Sequence, residues 1–336
     1  MRLADFDYVL PDEQIAQHPI EPRDSARLLV DRGSAPPLHR HVRDIVEFLR
    51  EGDLLVVNDT KVIPARLRLH RATGGGAEAL LLEPLDAERR TWEAMVRPAK
   101  KLKPGEELLA GGVPLVRVLR RSEAGDTMII ELLGEGDPVA LLQAHGEMPL
   151  PPYITARLDQ PDRYQTVYAN EPASSAAPTA GLHFTPALLA QLTERGIQTA
   201  TVELVVGLDT FKPVSAADPR DHVIHSERYR VPAEVTTACA AARRVVAVGT
   251  TSVRALESAA TLGAAEGRTR LFIHRPYEWK LVDVLMTNFH LPRTTLLMMI
   301  DAFVGPRWRT LYDEALREGY RFLSFGDAML LDRSLS

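Results

Sequence analysis

Cysteine is nearly missing from this chain of 336 residues, where Cys239 stands alone. A single thiol cannot form an intrachain disulfide or a multi-cysteine zinc or iron–sulfur site. Within the alanine-rich run AEVTTACAAARR it reads as a packed, inert thiol. Long apolar runs are missing as well: none reaches the roughly 18 residues that a membrane-spanning helix needs. The start, MRLADFDYVLPDE, has aspartates where a secretory signal has an apolar core. The expectation is a cytoplasmic protein with no membrane contact. Excess positive charge is also absent. The formal net charge is −5, so only a local basic patch is left open for nucleic acid. There is no Gly-x-Gly-x-x-Gly after a strand, no Walker loop, no His-Glu-x-x-His and no Gly-x-Ser-x-Gly. These absences remove the commonest dehydrogenase, NTPase, zinc-protease and hydrolase readings.

What is present is an ordinary globular composition, 45% hydrophobic and 25% charged, long enough for two domains or one large one. In residues 1 to 60, PDEQIAQ reads as a helical turn and RLLV as a strand. HVRDIVEFLREG reads as an amphipathic helix with Val42, Ile45, Val46 and Leu49 on one face. DLLVV follows, closed by the turn Asn58-Asp59-Thr60. From about 66 to 147 short runs such as RLRLHRA, TWEAMVRPA and DTMIIELLG alternate with glycine-rich or charged turns, the texture of a small all-β barrel or sandwich. MPLPPYI reads as a stiff return linker. Helix and strand patterns then resume, through IQTATVELVVG, VVAVG and VRALESAATLG. The expected architecture is a discontinuous α/β domain over 1–65 and 148–336, interrupted by an all-β domain over 66–147.

Four stretches carry candidate chemistry. In AAPTAGLHFTPALLAQLTERG, Thr185 is a helix N-cap, Pro186 fits the first helical position and Gly196 ends the helix. The preceding Thr179-Ala180-Gly181-Leu182-His183 is either a tight packed loop or a binding loop. In VVAVGTTSVR a strand leads through Gly249, Thr250, Thr251 and Ser252 into a helix, a natural seat for an anion, with Arg254 favouring one. The alternatives are plain capping by Thr251 or Ser252, and Glu257 as a local partner for Arg254. In DHVIHSE, His222, His225 and Glu227 form either a metal site or, as the pair His225/Glu227 on one side of a strand, an acid–base group. In LMTNFHLP, Asn288 and His290 point to one side of an extended segment, or His290 caps the next helix. Arg97, Lys100, Lys101 and Lys103 are either RNA-phosphate contacts or lysines that protect a sheet edge.

Together with LADFDYVLPDEQIAQHPIEPRDSARLLV, GDLLVVNDTKVIPARL, GEMPLPPYI, RYQTVYA and YRFLSFGDAML, these stretches resemble the S-adenosylmethionine:tRNA ribosyltransferase-isomerase family of queuosine biosynthesis, over nearly the whole chain. The resemblance implies an α/β domain with a mixed barrel-like sheet, interrupted by a β-barrel-like domain. It implies transfer of the ribosyl part of S-adenosylmethionine to 7-aminomethyl-7-deazaguanine in the wobble position of tRNA. Epoxyqueuosine-tRNA forms, and adenine and methionine leave. S-adenosylmethionine is a consumed substrate, no metal or other cofactor is implied, and tRNA is the partner; a monomer is expected. The chemistry needs a base at the ribose 5′ carbon and an acid at the departing adenine. The expected acid–base groups are His183, His225 with Glu227, and His290. The expected substrate-binding residues are Thr179, Gly181, Thr210, Phe211, Gly249, Thr250, Thr251, Ser252, Arg254 and Asn288. Two departures from the family pattern stand out: Val205 and Asp209 replace a histidine and a glycine, and Arg275-Pro276 replaces Pro-Gly. The rival readings are a metal-dependent hydrolase on His222, His225 and Glu227, and a non-catalytic RNA-binding protein.

Overall fold

Strands β1 (Arg27–Arg32), β2 (Ala35–His41) and β3 (Asp53–Asn58) come first. β4 (Thr60–Val62) leads into β5 (Arg66–Arg71), β6 (Gly76–Pro84), β7 (Thr91–Arg97), β8 (Glu107–Ala110), β9 (Val113–Arg121) and β10 (Met128–Leu132). Helix α1 (Pro138–His145), β11 (Gly146–Glu147) and β12 (Glu171–Ser174) follow. The chain continues through α2 (Pro186–Glu194), β13 (Gln198–Leu204), β14 (Glu227–Arg230), α3 (Ala233–Ala241), β15 (Arg244–Val248) and α4 (Gly249–Leu262). It ends with β16 (Glu266–Thr269), β17 (Val284–Asn288), α5 (Thr295–Val304), α6 (Trp308–Arg317) and β18 (Ala328–Asp332). This is a computed structural model, and it describes every residue except 124, 126, 207–213, 215, 217, 223, 225 and 336.

Two compact units result. One comprises Met1–Thr60, Pro152–Asn170 and Pro178–Ser336; the other comprises Lys61–Pro151 and Glu171–Ala177. The chain therefore enters the second unit twice. MPLPPYI is not the only return, because β12 pairs with β4 and so residues 171–177 group with the inserted unit.

The larger unit is built on a mixed sheet of nine strands in the order β16-β14-β13-β3-β15-β17-β18-β1-β2. β13, β3, β15 and β17 run parallel, side by side. β18 is antiparallel to β17 and parallel to β1. All six residues of β3 are buried, which explains its unbroken apolar run: a strand covered on both faces has no polar side. Leu55, Val57, Val246, Val248 and Met286 share one core cluster with Phe184, Leu188 and Leu192 around α2. The helix expected from residue 42 is a 3-10 helix, Val42–Glu47, with Val42 and Ile45 buried. Two β-branched residues three apart suit three residues per turn better than a long α-helix.

The inserted unit is an antiparallel barrel. Its strand order is β11-β5-β6-β7-β10-β9-β8, and pairing of β5 with β8 closes six strands into a ring. Leu67, Leu69, Ala79, Leu81, Trp92, Ala94, Val96, Val116, Val118 and Ile130 are buried in it. It also carries α1, which an all-β reading leaves out. Asp137 caps that helix by accepting a bond from the Val139 amide at 3.1 Å, and Pro138 opens it.

The four parallel strands of the larger unit end at Leu204, Asn58, Val248 and Asn288. Open α/β sheets bind ligands beyond the carboxyl ends of such strands.

Candidate active site

The Thr185 hydroxyl accepts a bond from the Leu188 amide at 3.1 Å and starts α2 as expected. Ahead of it, Thr179–His183 forms a 3-10 turn whose last four residues are buried. The turn packs on the start of α4: a Cβ at Gly249 would lie 3.5 Å from that of Ala180. Gly181 has a packing role. A Cβ there would lie 1.9 Å from the Tyr168 hydroxyl and 2.9 Å from Thr166, so glycine is needed for contact with the protein rather than for approach of a ligand.

Asn288, at the end of β17, joins this turn to the sheet. Its Nδ2 donates to His183 Nε2 at 3.1 Å and to the Asp327 carbonyl at 3.3 Å, while its Oδ1 accepts from the Thr179 hydroxyl at 2.9 Å. The Asp327 carbonyl settles the amide's orientation, since a reversed amide would set oxygen against oxygen. His183 Nε2 is therefore an acceptor, and the ring is neutral. Burial, with the Arg321 cation next in effect, lowers the His183 pKa to about 4. A small pocket lined by Arg23, Arg163, Leu182, His183, Ser324 and Phe325 opens beside the ring.

His290 does not join that network. Its Nε2 lies 3.0 Å from the Thr287 hydroxyl, its amide donates to the Tyr312 hydroxyl at 3.0 Å, and burial lowers its pKa to about 3. Nor does it cap the next helix. Thr294 does that, accepting from the Leu297 amide. Thus Asn288 and His290, two apart, serve different partners.

The Gly249-Thr250-Thr251-Ser252 stretch is itself the first turn of α4. Its N-cap, Val248, makes no side-chain cap, and Ser252 bonds back to the Val248 carbonyl at 2.8 Å. Capping by Thr251 or Ser252 is thus replaced by a first turn without a side-chain cap. Arg254 lies beyond that turn, on the face of Thr250 and Thr251, and its Nη1 is paired with Glu227 on β14. Glu257 does not serve Arg254. It accepts the Tyr277 hydroxyl and the amides of Lys280, Leu281 and Val282, each at 3.0 Å. The remaining fork of Arg254, Nε and Nη2, is buried with no partner among the described residues, as is Thr251 Oγ1. Glu227 is accordingly a partner of Arg254 rather than a free acid–base group. A guanidinium held at one edge and open at the other offers a two-point seat for a carboxylate or phosphate.

Sequence reasoning passed over Thr166 and Tyr168 and named Thr60 only as a turn residue. Their hydroxyls are buried without partners among the described residues, and Tyr168 touches Gly181. Burial and the Asp59 carboxylate push the Tyr168 pKa up. Asn58 was visible only as a turn residue. In the fold it stitches β3 to β13, donating to the Leu204 carbonyl at 3.0 Å. His225, Thr210, Phe211 and Asp209 lie outside the described residues. Among the described residues no group of three His, Cys, Asp or Glu could hold a metal ion. Cys239 is buried, and desolvation pushes its thiol up to about 11, so it stays protonated and inert. Of the departures from the family pattern, Val205 is buried in the core. Arg275 is held by Asp301, which accepts its Nε and Nη2 at 2.6 and 2.8 Å.

The fold and these groups define an α/β enzyme whose candidate site lies at the carboxyl ends of its parallel strands. The family model described as "Queuosine biosynthesis protein" matches residues 3–331. A Symbiobacterium thermophilum protein named S-adenosylmethionine:tRNA ribosyltransferase-isomerase is 50% identical, over 98% of this chain and 100% of its own. A Thermus thermophilus protein of the same name is 51% identical, over 98% and 99%. The crystal structure of S-adenosylmethionine tRNA ribosyltransferase from Thermotoga maritima matches at TM-score 0.55 and 40% identity, covering 97% of this chain and 99% of that one. The chain belongs to the queuosine biosynthesis family. No helix among the described residues is long and apolar enough to cross a membrane.

Proposed function

We propose that this chain transfers the ribosyl part of S-adenosylmethionine to the aminomethyl group of 7-aminomethyl-7-deazaguanine in the wobble position of tRNA. Epoxyqueuosine-tRNA forms, with release of adenine and methionine. It is an S-adenosylmethionine:tRNA ribosyltransferase-isomerase. S-adenosylmethionine is consumed, the reading uses no metal, and the enzyme acts as a cytoplasmic monomer.

The observation that carries the site assignment is the open fork of Arg254 beside the uncapped start of α4. The methionine carboxylate takes that fork, with Thr251 as a further donor and the amides of Gly249 and Thr250 at the positive end of the helix. Glu227 holds the guanidinium in place. Asn288 offers the second lone pair of Oδ1 to the substrate, Thr179 donates to the first, and Thr210 and Phe211 are further substrate-binding residues.

Proton transfer follows from charge. His183 and His290 carry lowered pKa values of about 4 and 3, so they enter the reaction neutral, able to accept a proton and unable to give one. A neutral imidazole from the pool His183, His225 and His290 takes the ribose 5′ proton, which the adjacent sulfonium acidifies. The imidazolium so formed then protonates adenine as it leaves, returning the proton that it took. The substrate amine attacks uncharged.

The test is incubation with S-adenosylmethionine and tRNA carrying the modified base, with free adenine as the readout. No adenine from a competent substrate overturns the activity. His183→Ala, His225→Ala and His290→Ala each at wild-type turnover, with unchanged pH dependence, overturn the acid–base assignment.

A further inference from the structure

Six cations gather at one end of the barrel. Arg97 ends β7, Lys100, Lys101 and Lys103 lie in the connection to β8, and Arg120 and Arg121 end β9. All six are exposed. The strand registers bring them together. Met128 of β10 faces both Ala94 of β7 and Arg121 of β9, so the end of β9 lies beside the outgoing end of β7. Arg121 then ties the two segments directly, its Nη2 donating to the Ala99 carbonyl at 3.3 Å. Farther along the same connection, the Val118 amide donates to the Glu106 carbonyl at 2.9 Å.

Among the described residues none of the six is in an ion pair, although Lys103 joins Arg71 in lowering the Glu106 pKa. Glu78, across from Arg97, is 3.5 Å from Arg66; Glu106 pairs with Arg71 at 2.6 Å; Glu107 and Glu131 share Arg117 at 2.9 and 2.8 Å. Glu123, in the β9–β10 hairpin, pairs with none of the six. At the other end of the barrel Asp86, Glu88, Glu135 and Asp137 stand with Arg89 and Arg90, so charge is balanced or acidic there. Edge protection does not account for the lysines. The ring is closed by β5 and β8, and Lys100, Lys101 and Lys103 stand in a connection rather than along an open strand.

We propose that this end of the barrel is a docking surface for the phosphate backbone of RNA. The inference rests on the reading of tRNA as the substrate and adds where its backbone is held. In a chain of net charge −5, cations without ion-pair partners concentrated on one surface supply a local attraction for a polyanion, and releasing counterions from it drives binding.

The test is fluorescence anisotropy of labelled, unmodified tRNA transcript against the full-length protein over a salt series. Lys100→Glu/Lys101→Glu/Lys103→Glu weakens binding by about tenfold or more at 0.1 M salt and flattens the slope of log affinity against log salt by about two. Arg120→Glu, a second route to the same surface, weakens binding by about threefold. Arg50→Glu, an exposed arginine of the other unit, serves as the control. With both barrel variants folded by circular dichroism, affinity and slope equal to those of wild type, or losses no greater than the control's, overturn the proposal. Adenine release by the wild-type enzyme is scored separately. Its absence overturns the activity, whereas unchanged tRNA affinity in the barrel variants overturns only the surface.

Discussion

The two ends of the parallel strands in the larger unit differ in how completely their polar groups are met. At the starting end, Arg244 donates to Asp53 at 2.6 and 3.0 Å and to Asp332 at 3.3 Å. Asp283 accepts the Val245 amide at 2.9 Å and Arg333 at 3.0 Å, and Arg307 grips Asp31. At the carboxyl end, Thr60, Thr166, Tyr168, Thr251 and one fork of Arg254 are buried with bonds unmade among the described residues. Unmet buried groups cost stability and are rare in native proteins. Their concentration at one end separates a pole that holds the sheet together from a pole whose polar groups are left open, the end at which the proposed site lies.

The sharpest way to break that comparison is Arg254→Lys. Lysine keeps the charge opposite Glu227 and loses the planar fork, so affinity for S-adenosylmethionine falls about 100-fold with little change in Tm. Isothermal calorimetry and a melting curve check both halves; unchanged affinity removes Arg254 from the binding pole. Asp53→Asn tests the other pole. Loss of a buried carboxylate facing a partly exposed arginine costs about 2 kcal/mol and lowers Tm by roughly 5 °C, while kcat/KM stays within twofold. Loss of activity with unchanged Tm would reverse the roles of the two ends.

Acid probes the carboxyl pole in a different way. His183 and His290 have lowered pKa values in the folded protein, about 4 and 3, against 6.5 in the open chain. Between pH 6.5 and about 4 the unfolded chain takes up protons that the folded chain refuses, so stability is full above 6.5 and falls as the pH falls. Each histidine contributes on the order of 1–2 kcal/mol to that loss between pH 7 and 5. Urea unfolding of His183→Asn at both pH values shows a smaller loss than wild type; an equal loss assigns the acid sensitivity to other groups. The smallest effect belongs to Tyr168→Phe. Removing a buried hydroxyl that lacks a partner raises stability by about 1 kcal/mol and lowers kcat/KM several-fold. A fall in stability would mean that the hydroxyl is bonded within the free protein.

Much of the architecture was legible from local pattern. Thr185 and Pro186 start α2 where they predict a start, and the alternating runs between 66 and 147 become barrel strands. The cap Asp137-Pro138 was equally local, and α1 went unread amid a β texture. The site was legible as residue types at the ends of strands, with less success for their roles. Gly181 looked like room for a ligand and is room for Tyr168. Glu227 looked like an acid–base partner of His225 and is paired with Arg254, while Glu257, three residues from Arg254, is occupied by Tyr277 and three amides.

By itself, then, the sequence determined what depends on neighbours along the chain: caps, turns, strand periodicity, the lone inert thiol and the order of the elements. Tertiary structure alone decided what depends on register and strand order. It set His183 against Asn288, turned Arg254 toward Glu227 and left its second edge open, and brought Arg120 and Arg121 beside Lys100 and Lys101. The physical reason is range. A cap or an alternation is written within a few residues, whereas the partner of a buried charge is whichever group the packing of distant strands delivers.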